Sequence, residues 1–207
     1  MSAIENKETI EEVISKLAER ASGCTSCGLA LKRRSVVFGE GNPRSPLVLV
    51  GEGPGEQEDK TGRPFVGPAG QILDRALLDN GLDRNDVYIC NVVKCRAADW
   101  LGEHATNRPP SSEEIQSCSQ WLAPQLSAIA PKVILCVGAP SANALIQKGF
   151  QITKDRGKLF PCRYAKYAIA TLHPAYILRQ RGKESDGGYS LLVKDIALAY
   201  TIATTIE

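Results

Sequence analysis

The stretch Leu47-Val48-Leu49-Val50-Gly51-Glu52-Gly53-Pro54-Gly55-Glu56 decides how the chain is read. Its first half is a short run, apolar at every position, as a strand covered on both faces must be. Gly51, Gly53 and Gly55 follow directly. In an open α/β sheet, ligands bind beyond the carboxyl ends of the strands, so a site is expected in this loop. Glycine also lets backbone N–H groups approach a ligand with no side chain in the way. A dinucleotide fingerprint is disfavoured, because its third glycine is missing and Pro54 sits inside the motif.

Three more runs of the same kind follow: Val87 to Val93, Val133 to Val137 and Tyr167 to Leu172. Helical patterns separate them. Ile10, Val13, Ile14 and Leu17 predict an amphipathic helix ending near Ser22-Gly23. Ile72, Leu73, Ala76 and Leu77 predict another after Gly70. Ser111 with Glu114 makes a capping box before Ile115, Trp121 and Leu122, and Ser141 can cap a helix over Ala142 to Gln147. Leu192, Ile196, Tyr200 and Ala203 mark a last helix. Strand alternating with helix argues an α/β fold, a three-layer α/β/α sandwich on a four-stranded, mostly parallel sheet. Residues 1–207 are read as a single domain. Lys94 to Pro110 is long and polar without periodicity, the mark of a functional or ligand-bound loop.

Lys plus Arg number 25 against 23 Asp plus Glu, so a polyanionic partner must be met by local charge. Lys32, Arg33, Arg34, Arg179, Arg181 and Lys183 are candidates for it. No apolar run is long enough for a membrane span, and Glu5, Lys7, Glu11 and Glu12 interrupt any signal peptide. The expectation is a cytoplasmic monomer in a reducing compartment, where seven cysteines are ligands or buried thiols rather than disulfides. Cys24-x-x-Cys27 is a common half of a metal site, with Cys95 and Cys118 as candidates for the other half. Two widely separated partners fit an iron-sulfur site, while zinc stays open. Cys90, Cys136 and Cys162 are read as small packing residues.

Polar residues fall at the strand ends where a site belongs. Asn91 can donate from its amide and accept at its carbonyl, so it can pair with a ligand edge that offers an acceptor beside a donor. His173-Pro174 closes the fourth run, and Phe65, between rigid neighbours, suits either packing or stacking on a planar base.

Taken in order, GEGPGEQEDKTGRPFVGPAGQILD (51–74), CNVVKC (90–95) and TLHPAYILR (171–179) closely resemble the bacterial and archaeal uracil-DNA glycosylases that carry a 4Fe-4S cluster, family 4 of their superfamily. The resemblance runs from Cys24 to Arg179. It implies an enzyme that flips uracil from single- or double-stranded DNA and hydrolyses its glycosidic bond, leaving an abasic site for base excision repair. It also implies a 4Fe-4S cluster on Cys24, Cys27, Cys95 and Cys118, base contacts from Gly53, Gly55, Phe65, Asn91 and His173, and stabilisation of the leaving base by His173. Ile177 falls where the inserting wedge of the family lies, with Leu178 second, and Arg179 pairs with phosphate. Many such enzymes orient water with an Asp in the first loop. None stands there in this chain, so Glu52 is the first candidate for that role and Asn107 the second. Ala97 to Thr106 reads as an insertion bulging from the cluster loop. A DNA-binding module without turnover, and an enzyme that traps its own sugar intermediate, are competing readings. Asn107 in place of a His argues against the second.

Overall fold

The computed structural model describes residues 8–180 and 186–206; Glu5, Lys7, Arg181 and Lys183 lie outside the described residues. Helix α1 (Ile10–Ser22) opens on a capping box between Thr9 and Glu12 and leads through a 3₁₀ turn (Gly28–Leu31) to β1 (Glu40–Gly41) and β2 (Leu47–Gly51). Next come α2 (Glu56–Thr61), α3 (Pro68–Leu78), β3 (Tyr88–Asn91), β4 (Ala98–Leu101), β5 (His104–Asn107) and α4 (Ser112–Ile129). The chain continues through β6 (Val133–Val137), α5 (Ala139–Leu145), α6 (Ile152–Asp155), β7 (Tyr167–Thr171), α7 (Pro174–Gln180) and α8 (Tyr189–Thr205).

The sheet order is β1-β3-β2-β6-β7, with β3, β2, β6 and β7 parallel and β1 antiparallel to β3. The sheet therefore has five strands, not the four expected. Strand β1 is only Glu40 and Gly41, too short to carry a pattern, and it exists because β3 offers it a partner. Side chains of the parallel strands alternate between two buried faces. Val48, Val50, Cys90, Ile134 and Cys136 pack toward α1 and α4, through Ile14, Leu17, Trp121, Leu122 and Leu126. Leu47, Leu49, Ile89, Leu135 and Ile169 pack toward α3 and α8, through Ile72, Leu73, Leu192 and Ile196. Each such side chain contributes about 1.5–3 kcal/mol by leaving water, which fixes the sheet as a rigid base.

Two boundaries differ from expectation. The second strand stops at Asn91, and Val92 and Val93 donate instead to Gly51 and Glu52 carbonyls at 2.9 and 3.1 Å. Ser141 caps nothing: α5 starts at Ala139 from Gly138, and Ser141 is buried within its first turns. The Ala97 to Thr106 insertion is ordered as an antiparallel hairpin, β4 on β5, turning through Gly102 at φ +61°. Among the described residues no helix is long and apolar enough to cross a membrane.

Candidate active site

The parallel strands end together, so Gly51, Asn91, Val137 and Thr171 bring their following loops to one edge of the sheet. Asn91 is 1 % exposed there, and its Oδ1 is buried without a partner. A Cβ on Gly51 would stand 2.4 Å from that oxygen and 2.5 Å from the Phe65 ring, so only glycine lets strand, amide and ring converge. The Phe65 and His173 rings are 6.0 Å apart, tilted by 33°, at the same edge of the sheet. Gly138, at φ +96°, passes under His173 where a Cβ would lie 3.0 Å from the His173 Cβ.

Phe65 takes a left-handed backbone, φ +52°, which costs a non-glycine residue and persists only where its surroundings enforce it. Glu58 and Arg84 enforce it. The buried Glu58 carboxylate accepts from the N–H groups of Val66 and Gly67 at 2.9 and 2.8 Å, while Arg84 donates to the carbonyls of Phe65 and of Pro64. Glu58→Ala should therefore lower stability by about 1.5–3 kcal/mol in denaturant titrations, and Glu58→Gln should recover part of the loss by keeping an acceptor oxygen.

Glu52 follows Gly51 with its Oε1 buried and unpartnered, and burial raises the pKa of its carboxyl. The N–H groups of Gly53 and Gly55 meet no acceptor among the described residues. His173 Nδ1 accepts from the Ala175 N–H at 3.1 Å, which assigns its proton to Nε2. Burial, then the charge of Arg179, lower its pKa to about 4, so the ring is a neutral donor at physiological pH. Asn107 stands at the end of β5, where its Oδ1 accepts from Arg96 Nε at 2.7 Å and its amide nitrogen lies 3.7 Å from the place of a Gly55 Cβ.

Behind this edge, Cys24, Cys27, Cys95 and Cys118 line one cavity with Arg33 and Trp121. Arg33 donates to Cys95 Sγ at 3.8 Å, and the Lys94 N–H donates to Cys118 Sγ at 3.2 Å. The Trp121 indole N–H is buried in the same place without an oxygen or nitrogen acceptor. Burial raises the Cys24 pKa, but hydrogen bonds from Ser26 and Trp121 and the Arg33 charge outweigh it and lower the pKa overall. Burial pushes Cys95 up to about 11 and raises Cys118 as well. Among the described residues no three Cys, His, Asp or Glu side chains converge to hold a single metal ion. Cys90 and Cys136 are buried within the sheet, away from this set.

A family model described as the Uracil DNA glycosylase superfamily matches residues 38–197. The chain belongs to that superfamily. It is 46% identical to the type-4 uracil-DNA glycosylase of Thermotoga maritima over 177 residues, covering 85% of this chain and 88% of the relative. The type-4 enzyme of Sulfurisphaera tokodaii is 40% identical over 173 residues, covering 80% of this chain and 76% of the relative. That of Archaeoglobus fulgidus is 36% identical over 178 residues, covering 83% and 84%.

In this uracil-DNA glycosylase superfamily member, one residue expected at the DNA surface lies elsewhere. Ile177 is 1 % exposed and packs among α3 and α8 side chains, so it cannot serve as a wedge from this position. On a short helix an apolar residue fits wedge and core equally, and here the core takes it. Leu178 is half-buried, Arg179 is exposed, and Tyr176 is the large apolar side chain of α7 that stands out, at 42 %.

Sequence reading also passed over Lys94, beside the ligand candidate Cys95. Its side chain is 1 % exposed, with Nζ donating to the Asn91 carbonyl at 2.9 Å and to Gln125 Oε1 at 2.5 Å, over the Phe38 ring. Burial lowers its pKa. The one available signal was a lysine inside an otherwise apolar strand end, which gives no hint of its partners.

Proposed function

We propose that this chain flips uracil out of single- or double-stranded DNA into the pocket of Phe65, Asn91 and His173 and hydrolyses its N-glycosidic bond, leaving an abasic site and an intact backbone. The observation that carries this reading is the orphaned Asn91 Oδ1. A buried acceptor without a partner costs about 1–3 kcal/mol, so its place against a stacking ring is best explained by a ligand donor such as uracil N3–H. Phe65 would stack on the base, repaying part of the few kcal/mol that extrusion costs.

As the bond opens, charge develops on the base, and fixed donors aimed there lower the barrier. His173 Nε2–H and the free N–H groups of Gly53 and Gly55 are suited to that task. On the opposite side a water must meet the sugar cation. Glu52, with its unpartnered oxygen, is our candidate to orient it, and Asn107 is the alternative, although Arg96 already occupies its Oδ1. Leu178 would enter the base stack and Arg179 would meet phosphate. The test is an oligonucleotide with one uracil, which the chain should convert to an alkali-labile strand. Tight binding without any abasic product would favour a module that has lost turnover.

The cysteine cavity fits a 4Fe-4S cluster held by Cys24, Cys27, Cys95 and Cys118. Zinc draws its thiolates to about 2.3 Å of one point, whereas these thiols surround a space with the Trp121 side chain beside them. When bound, the cluster would supply thiolate–iron cross-links between the first turn, the end of β3 and α4, with no part in the hydrolysis. Purified anaerobically, the protein should be brown and contain about four irons per chain. Cys95→Ala and Cys118→Ala should lose that iron, while Cys162→Ala should retain it. Stoichiometric zinc without iron, or equal losses at all three positions, would overturn the assignment.

A further inference from the structure

The hairpin β4–β5 leans against the Gly-rich loop without being part of the pocket. At its base Arg96 is bonded to Asn107 and lies 3.9 Å from the Glu56 carboxylate. An open cleft separates it from α2, with Arg34, Lys60, Arg96, Trp100 and His104 on its walls. Glu56, Asp59 and Glu103 share this cleft, and the first two are committed. Glu56 is paired with Lys60 at 2.5 Å, and Asp59 accepts from the N–H groups of Arg34 and Ser35 at 3.0 and 3.4 Å. Lys32 Nζ and Arg96 Cζ lie 5.4 and 5.9 Å from the centroid of the Trp100 ring. An aromatic face holds a cation without neutralising it. Among the described residues neither Lys32 nor Arg34 is ion-paired with a carboxylate within 4 Å, and both are exposed.

Position matters as much as charge. His173 and α7 follow β7 at one side of the sheet edge, and the hairpin follows β3, three strand spacings away. That is about 15 Å, or roughly four nucleotides of a B-form strand, with the base pocket between. A strand that lay on α7 and crossed this edge past Asn91 would reach the hairpin.

We propose that the hairpin, with Lys32 and Arg34, forms a second DNA-binding subsite, which takes a backbone phosphate of the uracil-bearing strand beyond the flipped base. The proposal rests on the reading that the chain acts on uracil in DNA. Trp100 acts as the seat for Lys32 and Arg96 rather than as a platform for a base, since its ring already carries two cations. The contact is to phosphate, so it adds affinity without adding sequence preference.

The experiment compares Lys32→Ala, Arg34→Ala and Trp100→Ala with the unaltered chain on single-stranded oligonucleotides holding one uracil. One has flanks of about ten nucleotides on each side, and two others have either flank cut to about two. Binding is followed by anisotropy as salt is raised, and uracil release in single turnover. On the long oligonucleotide each variant should bind about 3- to 10-fold more weakly at low salt. The Lys32→Ala and Arg34→Ala lines of log affinity against log salt should each flatten by about 0.7, the value for one lost phosphate contact. Release at saturation should be unchanged. Cutting one particular flank should weaken the unaltered chain and erase its advantage over the variants. Wild-type affinity and salt slope in all three variants, or losses equal on every oligonucleotide, would overturn the subsite. If the unaltered chain releases no uracil from any oligonucleotide, the functional reading fails, and the length and salt dependence of binding still decide the subsite.

Discussion

Asn91→Asp is expected to lose uracil excision by on the order of 10,000-fold near neutral pH, the loss found where a site is built around hydrogen bonds that the altered pair cannot make. The amide offers one donor and one acceptor, and uracil presents O4 and N3–H to them. An ionised carboxylate offers two acceptors, so O4 would face a lone pair inside a dry pocket. Cytosine, with a donor amine at that position, would escape this clash but still turn its unprotonated ring nitrogen toward an acceptor, so any cytosine release should be slow. Burial raises the pKa of a carboxyl, and a protonated one regains the donor-and-acceptor pattern of the amide. Part of the lost uracil activity should therefore return as pH is lowered, a recovery that a merely misfolded variant cannot show. The measurement is single-turnover release across pH with iron content checked alongside. Undiminished excision with the fold intact would mean that Asn91 does not read the base.

His173→Ala is expected to slow the bond-breaking step by about 100- to 1000-fold while leaving DNA affinity nearly unchanged, because a donor aimed at developing charge strengthens only in the transition state. Its neutral state sharpens the test. With Nδ1 occupied by the Ala175 N–H and a pKa of about 4, the ring keeps its Nε2 proton throughout the physiological range. The contribution of His173 to the rate should thus be flat from about pH 6 to 9, with no titration near the ordinary histidine value. Stability behaves differently. Between the ordinary 6.5 and the folded value of about 4 the unfolded chain binds the proton and the folded chain does not, so stability is full above that window and falls as pH drops through it. The variant should be less sensitive to acid over that interval in thermal melts. Parallel losses in binding and rate would make His173 a positioning residue instead.

The parallel strands were legible because burial on both faces demands continuous apolar runs, and β2, β6 and β7 meet that demand almost residue for residue. The loops could be placed from them, since strand ends in such a sheet share one edge, and Asn91 and His173 sit at two of those ends. What escaped had no face to bury. Hairpin β4–β5 is largely exposed and its strands show no apolar alternation, though Gly102 between Trp100-Leu101 and His104-Ala105 was a turn signal that could have revealed it. Glu58, Arg84 and Lys94 escaped for another reason: a charge acquires meaning from partners distant in the chain, as Lys94 does from Gln125 on α4.

The Lys94 contacts have a further consequence. Asn91, which faces the base pocket, and Cys95, which faces the cysteine cavity, are joined by three residues, and the lysine ties this short run to α4 through Gln125 and to the Asn91 carbonyl itself. The proposed base-reading residue and the proposed cluster ligand therefore sit on one tethered run. A substitution at Cys95 is thus expected to loosen the Asn91 end as well, because five consecutive residues, Asn91 to Cys95, share that one tether.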